Sequence, residues 1–324
     1  MCTAISFNAK GHYFGRTLDL EKRYGECITI TPRNYVFKFK MEEAQESHYA
    51  IIGMAVIVEN YPLYFDATNE YGLSIAGLNF VGNAYYSDNL EVDKINLATY
   101  ELIPYLLSKC KTVDECDEIL KEINLVNIPF NDKLENAQLH WLIADKEKSI
   151  VLECMREGMK IHRNTIGVLT NNPPFEFQMM NLNNYMGLSN LDPKNTFSNK
   201  IELKAYSRGM GGIGLPGDFS SISRFVKVAF TKLNSVIPVD KISSVSQFFH
   251  ILGTVEQVEG CVIFENQFER TQYMSCCDTE EGIYYYKTYE NSQITAVKMH
   301  SENLDDKELV CYDLKYSESI NYIN

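Results

Sequence analysis

Several signatures are missing from this chain of 324 residues, and each absence closes a door. No run of lysine and arginine occurs, and 30 basic residues face 43 acidic ones, a net charge of −13. That balance argues against nucleic acid or an anionic membrane surface as a partner. No apolar stretch approaches the ~20 residues of a membrane-spanning helix, and no secretory h-region follows Met1, so neither membrane insertion nor export is expected. The nine cysteines form no CxxC pair, and the six histidines form no HExxH. We therefore expect no metal centre and no cofactor, and reduced thiols in a cytoplasmic protein. There is no internal repeat, low-complexity segment or Pro/Gly/Ser linker, so a single domain over residues 1–324 is the simplest expectation. One glycine pattern, Gly209-Met210-Gly211-Gly212-Ile213-Gly214, fits GxGxxG but follows no clear strand, and Pro216-Gly217 interrupts the helix that should open there. It reads as a flexible loop and not as a dinucleotide site.

What is present begins at the second residue. Met1-Cys2-Thr3 opens the chain, and Gly15-Arg16-Thr17-Leu18-Asp19 follows closely. If Met1 is removed, Cys2 carries both a thiol and a free α-amine, with unperturbed pKa values of about 8.5 and about 7.7–8.0. One residue then supplies both nucleophile and base. The ordinary alternative is a buried apolar cysteine near a processed end.

The remaining pattern is mixed. Residues 2–7, Cys27–Phe39, Tyr49–Val58 and Leu73–Phe80 read as strands, the last entered through the turn Asn69-Glu70-Tyr71-Gly72. A helix is expected from about Asn96 to Cys110, kinked at Pro104, and a second from the capping box Thr112-Val113-Asp114-Glu115. Gln138–Ala144 and Ser149–Cys154 form a hairpin around Asp145–Lys148. Ile222, Phe225, Val226, Ala229 and Phe230 share a helical face. Ser244-Val245-Ser246-Gln247 opens another helix that ends near Gly253, and Gly282–Tyr289 pairs with Gln293–Met299. Strands at both ends with helices between them predict an α+β fold of sheets packed under helices.

Six fragments carry a resemblance over essentially the whole chain. They are Met1-Cys2-Thr3, Gly15–Asp19, Asn69-Glu70-Tyr71-Gly72-Leu73, Gly77-Leu78-Asn79-Phe80, Leu169-Thr170-Asn171-Asn172-Pro173, and Gly214–Asp218 leading to Ser223-Arg224-Phe225. In this order the chain resembles the choloylglycine hydrolase family of N-terminal-nucleophile hydrolases, which contains bile salt hydrolases and penicillin V acylases. The resemblance implies a four-layer αββα sandwich and loss of Met1. It also implies amide hydrolysis through a Cys2 thioester, with catalytic positions at Cys2, Arg16, Asp19, Asn79, Asn171 and Arg224. Physically, Arg16 could favour a thiolate, Asp19 could orient the amine, and Asn171 could donate to an oxyanion. Without the resemblance these would read as a strand arginine, a turn acid and a turn residue before Pro173-Pro174, and Arg224 as a surface charge. Asn172 adjoins Asn171, so the register there stays open by one residue.

Asn79 resembles the bile salt hydrolase side of the family, where penicillin acylases tend to carry tyrosine. Leu18, Tyr24, Tyr64, Phe65, Ile128, Phe130 and Leu134 fall in segments that line the family's pocket; ordinary packing is the alternative for each. The expected activity is release of glycine or taurine from conjugated bile salts, with aminolysis by other amines as a side reaction. The alternatives are a penicillin V or other N-acyl-amide acylase of the same fold, and a non-catalytic binder of amphipathic ligands. The family also suggests a homo-oligomer, a tetramer.

Overall fold

The computed structural model describes residues 1–324. In chain order the strands of the first half are β1 Cys2–Ala9, β2 Gly11–Leu20, β3 Cys27–Thr31, β4 Ile51–Val58, β5 Tyr61–Asn69, β6 Ser74–Asn79, β7 Ile95–Ala98 and β8 Ile123–Val126. Then come β9 Leu139–Ala144, β10 Ser149–Met155, β11 Gly158–Arg163, β12 Val168–Leu169, β13 Val262–Phe264, β14 Gln267–Asp278, β15 Ile283–Thr288, β16 Asn291–Lys298 and β17 Val310–Asp313. The helices are α1 Leu102–Lys109, α2 Val113–Leu120, α3 Phe175–Asn181, α4 Ser221–Asn234 and α5 Lys241–Gly253.

Two antiparallel sheets lie face to face. The first runs β12-β1-β2-β14-β15-β16, with β13 added to β14; the second runs β11-β10-β9-β6-β5-β4-β3-β17. Helices α4 and α5 cover the first sheet, and α1 covers the second. The result is an αββα sandwich. One core joins the two sheets and α4/α5, including Ile5, Phe14, Leu142, Val168, Phe225 and Phe248. The other lies between the second sheet and α1/α2, including Leu102, Leu106, Val113, Leu120, Trp141 and Ile143. The mostly apolar strands β4 and β9 are buried on both faces over most of their length, with His140 the one polar side chain of β9.

Local chemistry moves several boundaries from where the pattern put them. The strand expected to run from Cys27 to Phe39 stops at Thr31, before Pro32, which has no N–H for the ladder. Residues Ile95–Ala98 pair as a strand with β8, and the helix begins only at Leu102. Pro104 therefore sits in the first turn of α1, where its missing N–H has no partner to lose, and no kink is required. The helix expected to open at Ser244 opens at Lys241: Asp240 accepts from the Ser243 amide at 2.9 Å, and the Ser244 hydroxyl turns back onto the Asp240 carbonyl at 2.7 Å. The GxGxxG stretch forms a loop with one 3-10 turn over Met210–Gly212, Gly209 taking φ +80°.

Candidate active site

Four segments place the residues that the motifs singled out. The β1–β2 hairpin sets Cys2 opposite Leu18 and Ala4 opposite Arg16, so these four share one face, directed at the second sheet. Thr3 and Thr17 form the intervening pair on the helix-facing side. Gly15 in the motif has a steric reason: a Cβ there would lie 2.1 Å from the Ser275 carbonyl oxygen of β14. That close approach lets the Arg16 amide donate to the Ser275 hydroxyl at 3.1 Å.

Cys2 is buried, at 2% exposure. Its backbone nitrogen donates to Asn171 Oδ1 at 2.8 Å. Arg224, at the start of α4, closes the group: Nη1 donates to the Cys2 carbonyl at 2.5 Å and to Thr3 Oγ1 at 2.7 Å, and Nη2 donates to Asn171 Oδ1 at 2.8 Å. Burial pulls the Arg224 guanidinium below its ordinary pKa, against the opposing pull of Asp19, Cys2 and Glu269. Asn171 itself is clamped. Its amide donates to Ser221 Oγ at 2.8 Å, Gln178 Nε2 donates to its carbonyl at 3.2 Å, and its Nδ2 donates to the Asn79 carbonyl at 2.8 Å. One Nδ2–H of Asn171 stays uncommitted. Asn172 turns elsewhere, donating to the Val81 carbonyl at 2.6 Å, which puts Asn171 and not its neighbour beside Cys2. Asn79 is half-buried and joins the group through its backbone.

Arg16 spans the gap between the sheets, with Nη1 donating to the carbonyls of Gly77 (2.5 Å) and Phe65 (3.1 Å) and Nε to that of Thr17 (3.2 Å). Its Nη2 makes no hydrogen bond. Burial alone would lower its pKa, but the charges of Cys2, Tyr273, Asp66 and Asp19 outweigh that and hold it above its ordinary value. Asp66 is a buried carboxylate that sequence reading overlooked; it accepts from Tyr284 at 2.6 Å, Tyr273 at 3.0 Å and Ser275 at 3.2 Å. An acid inside the strand Tyr61–Asn69 was the available signal. Asp19 accepts from Thr271 Oγ1 at 2.6 Å and Thr17 Oγ1 at 2.9 Å. With Met1 in place, its ammonium pairs with Glu269 Oε1 at 2.5 Å and with the Asp19 carbonyl, and the Cys2 nitrogen is an amide. Hydrolysis of that peptide bond would turn the Cys2 nitrogen into a free amine beside Asn171 and Arg224.

The apolar candidates divide. Leu18 pairs with Cys2 across the hairpin, the Phe65 carbonyl accepts from Arg16, and Tyr24, nearly half exposed, packs against the Phe65 ring with ring centres 6.3 Å apart. Tyr64 belongs elsewhere. Successive strand residues point to opposite faces, so Tyr64 enters the helix-side core and its hydroxyl bonds Thr31 Oγ1 at 2.6 Å. Phe130 packs on Tyr100 and Tyr61, with ring centres 5.2 and 5.8 Å away, against that same core. Ile128 is half-buried in the same connection between β8 and β9, and Leu134 is exposed there.

A second buried polar group braces the first. His140 Nε2 donates to the Thr170 carbonyl at 2.9 Å, and Glu153 Oε1 accepts from the Phe175 amide at 2.9 Å, so the pair grips the chain on both sides of Asn171. No cluster of His, Cys, Asp and Glu has a metal-binding arrangement.

Comparison with known proteins agrees with this geometry. The profile of the choloylglycine hydrolase family, linear amide C–N hydrolases, matches residues 2–312. A bile salt hydrolase/transferase of Lactiplantibacillus plantarum is 54% identical over 316 residues, 97% of each chain. One from Clostridium perfringens is 40% identical over 331 residues, all of both chains. The crystal structure of a mutant conjugated bile acid hydrolase from Clostridium perfringens superposes with a TM-score of 0.93 at 39% identity, covering both chains completely. A penicillin V acylase from Agrobacterium tumefaciens shares the fold, with a TM-score of 0.74 at 17% identity over 99% of this chain and all of that one.

Proposed function

The chain belongs to the choloylglycine hydrolase family of linear amide C–N hydrolases, and from that footing we propose that it cleaves the amide bond of glycine- or taurine-conjugated bile salts through a thioester on Cys2. The observation that carries the reading is the Cys2 backbone nitrogen held at 2.8 Å from Asn171 Oδ1, with Arg224 donating to both partners.

The steps follow from these groups. Removal of Met1 exposes the Cys2 amine, which takes the thiol proton. Arg16, with Nη2 unengaged, favours the thiolate by its charge. Sulfur attacks the substrate carbonyl, and the uncommitted Nδ2–H of Asn171 donates to the oxygen as it gains charge. Asn79 takes part through its backbone carbonyl, which accepts from Asn171 Nδ2 and holds that amide in place. The Cys2 ammonium, oriented by Asp19, returns the proton to the leaving nitrogen, and the amino acid departs. Water then attacks the thioester with the amine as base, which releases the bile acid and restores the thiol. Leu18, Phe65 and Tyr24 receive the steroid; its apolar area supplies roughly 25 cal/mol per Å² on burial. Ile128 and Leu134 extend that wall from the β8–β9 connection, whereas Phe130 stays with the helix-side core. An added amine competes with water and forms a new conjugate, visible by mass spectrometry; free bile acid alone at every amine concentration would contradict the thioester route.

The assembly we propose is a homotetramer in the cytoplasm. The nine unpaired thiols support a reducing compartment. Met186, Leu191, Phe197 and Tyr206, each more than two thirds exposed on one connecting segment, support contact with another copy.

The test is amino-acid release from glycocholate and taurocholate by reduced protein, with penicillin V and Cys2→Ala alongside. Release from the bile salts that vanishes in Cys2→Ala is the expected result. Turnover of penicillin V without bile salt cleavage would move the reading to the other acylases.

A further inference from the structure

The outer face of the second sheet carries two thiols that the amide chemistry does not use. Strand β17 is the edge of that sheet, and β3 is its neighbour. Their register sets Cys311 opposite Thr29 and Asp313 opposite Cys27. Ile28 and Ile30 point into the core between the sheets, so Cys27, Thr29 and Cys311 share the other face. The Thr29 hydroxyl sits between the two sulfurs, 3.4 Å from Cys27 Sγ and 3.8 Å from Cys311 Sγ. A hydroxyl accepts from one partner while donating to another, so the Cys27 thiol, Thr29 and a Cys311 thiolate form one chain of donors. Exposure decides which sulfur ionises: Cys27 is buried and Cys311 is exposed. Hydrogen bonding from Cys27, joined by Thr29, outweighs burial and the Asp313 charge and holds the Cys311 thiol below its ordinary pKa; the same contact, with burial, raises Cys27.

Beyond β17 the chain crosses to the first sheet. Leu314 enters the core between the sheets, and Lys315 bonds Thr288 at 2.7 Å and Tyr286 at 3.1 Å on β15. The Tyr316 ring lies 3.7 Å from the Arg23 guanidinium, in the β2–β3 connection that ends at Cys27. The tail is thus a strap from one sheet to the other, and Cys311 stands where it leaves β3. We propose that Cys27 and Cys311 form a thiol–disulfide exchange site, at which Cys311 takes up half of a low-molecular-weight disulfide and Cys27 resolves it into a bond that fastens the strap. The Cys311 thiolate attacks one sulfur of oxidised glutathione; a Cys311–glutathione bond forms, the glutathione disulfide breaks, and one glutathione leaves as thiolate. Cys27 gives its proton to water, attacks the Cys311 sulfur and expels the second glutathione. Two protein thiols are oxidised and one glutathione disulfide is reduced to two thiols. Diagonal partners in a sheet lie roughly 7–8 Å apart at Cα, and a disulfide wants them within about 6.8 Å. The edge strand β17, paired on one side and four residues long, is the element that gives.

Peptide mass mapping of the full chain after incubation with oxidised glutathione near neutral pH tests this. Cys261, the other exposed thiol, is the internal reference. The expected result is a Cys27–Cys311 disulfide formed roughly tenfold or more faster than glutathione enters Cys261, reversed by dithiothreitol, with a higher urea midpoint for the oxidised chain. Cys27→Ser should hold glutathione on Cys311, and Cys311→Ser should leave Cys27 unmodified. Cys311 is exposed, so its variant keeps the test usable if Cys27→Ser fails to fold. Glutathione remaining on Cys311 in the wild type, equal rates at Cys261 and Cys311, or no Cys27–Cys311 disulfide would overturn the assignment.

Discussion

Two buried polar groups meet at Thr170-Asn171 and differ in one respect. Around Glu153 the polar groups face one another: His140 Nδ1 bonds Glu153 Oε1 at 3.1 Å and the His140 ring stacks on Phe80 at 4.3 Å, while Glu153 Oε2 lies 3.3 Å from His162 Nε2 without a hydrogen bond between them. Around Cys2, donors are left over: Arg16 Nη2 and one Nδ2–H of Asn171 have no partner within the chain. A group whose polar atoms face one another serves the fold. A group with donors free of the chain can serve a substrate. The difference separates bracing from chemistry where both groups are equally buried, and it yields opposite expectations for mutation.

The largest effect belongs to the nucleophile. Cys2→Ala should reduce taurine release from taurocholate at least ~10³-fold while leaving the urea unfolding midpoint nearly unchanged. Asn171→Ala follows, with a loss of about 2.7–4 kcal/mol in kcat/KM, the size typical for one oxyanion donor. Glu153→Gln inverts the pattern. It replaces a buried carboxylate bonded to His140 and to the Phe175 amide, so stability should fall by roughly 1–3 kcal/mol, while kcat per folded molecule holds. A catalytic loss in Glu153→Gln beyond the unfolded fraction would erase the distinction between the two groups.

The acid limb of the stability curve sharpens it further. Burial alone would raise the Glu153 pKa, but the hydrogen bond from His140, the adjacent His162, the His140 charge and the Phe175 amide outweigh it and hold the carboxyl down at about 2, from an ordinary 4.5. A depressed folded-state value means the unfolded chain takes up the proton first. The stabilisation is therefore complete above pH 4.5 and disappears as pH falls towards 2. Wild type and Glu153→Gln should differ in unfolding free energy at pH 6 and converge near pH 2; a constant gap across that range would show that the carboxylate charge is not what braces the segment.

How much of this was legible beforehand varies with the kind of information. The layered α+β architecture followed from strands at both ends and helices between them. The motifs brought Cys2, Arg16, Asp19, Asn171 and Arg224 into one cluster, because each sits where a strand or helix boundary fixes its direction. The bracing groups escaped notice. Glu153 in Ile150–Cys154 and His140 in Leu139–Ala144 are single polar residues in apolar runs, a signal that a buried partner exists but not where. The longest strand, β14, went unread because Gln267–Asp278 is mostly polar in sequence; its burial comes from lying between β2 and β15. Asp240 displaced Ser244 as a cap for a similarly local reason, a rival acceptor one turn earlier.

Tyr64 and Phe65 give the smallest and most discriminating comparison, since they adjoin in sequence and part at the sheet. Tyr64→Phe removes a hydroxyl bonded to Thr31 in the helix-side core. It should cost about 1 kcal/mol of stability and leave KM for taurocholate unchanged. Phe65→Ala strips an apolar ring from the face that carries Arg16 and touches Tyr24. Losing part of a buried aromatic contact, about 1–2 kcal/mol, corresponds to a KM increase of roughly 5–30-fold, with kcat nearly kept because the reacting groups are untouched. The amino-acid portion of the substrate should not alter that ratio: glycocholate and taurocholate should show the same increase, as both present one steroid to this wall. An increase for one conjugate only would place Phe65 against the leaving group. A KM effect from Tyr64→Phe and none from Phe65→Ala would move the steroid to the other face of β5.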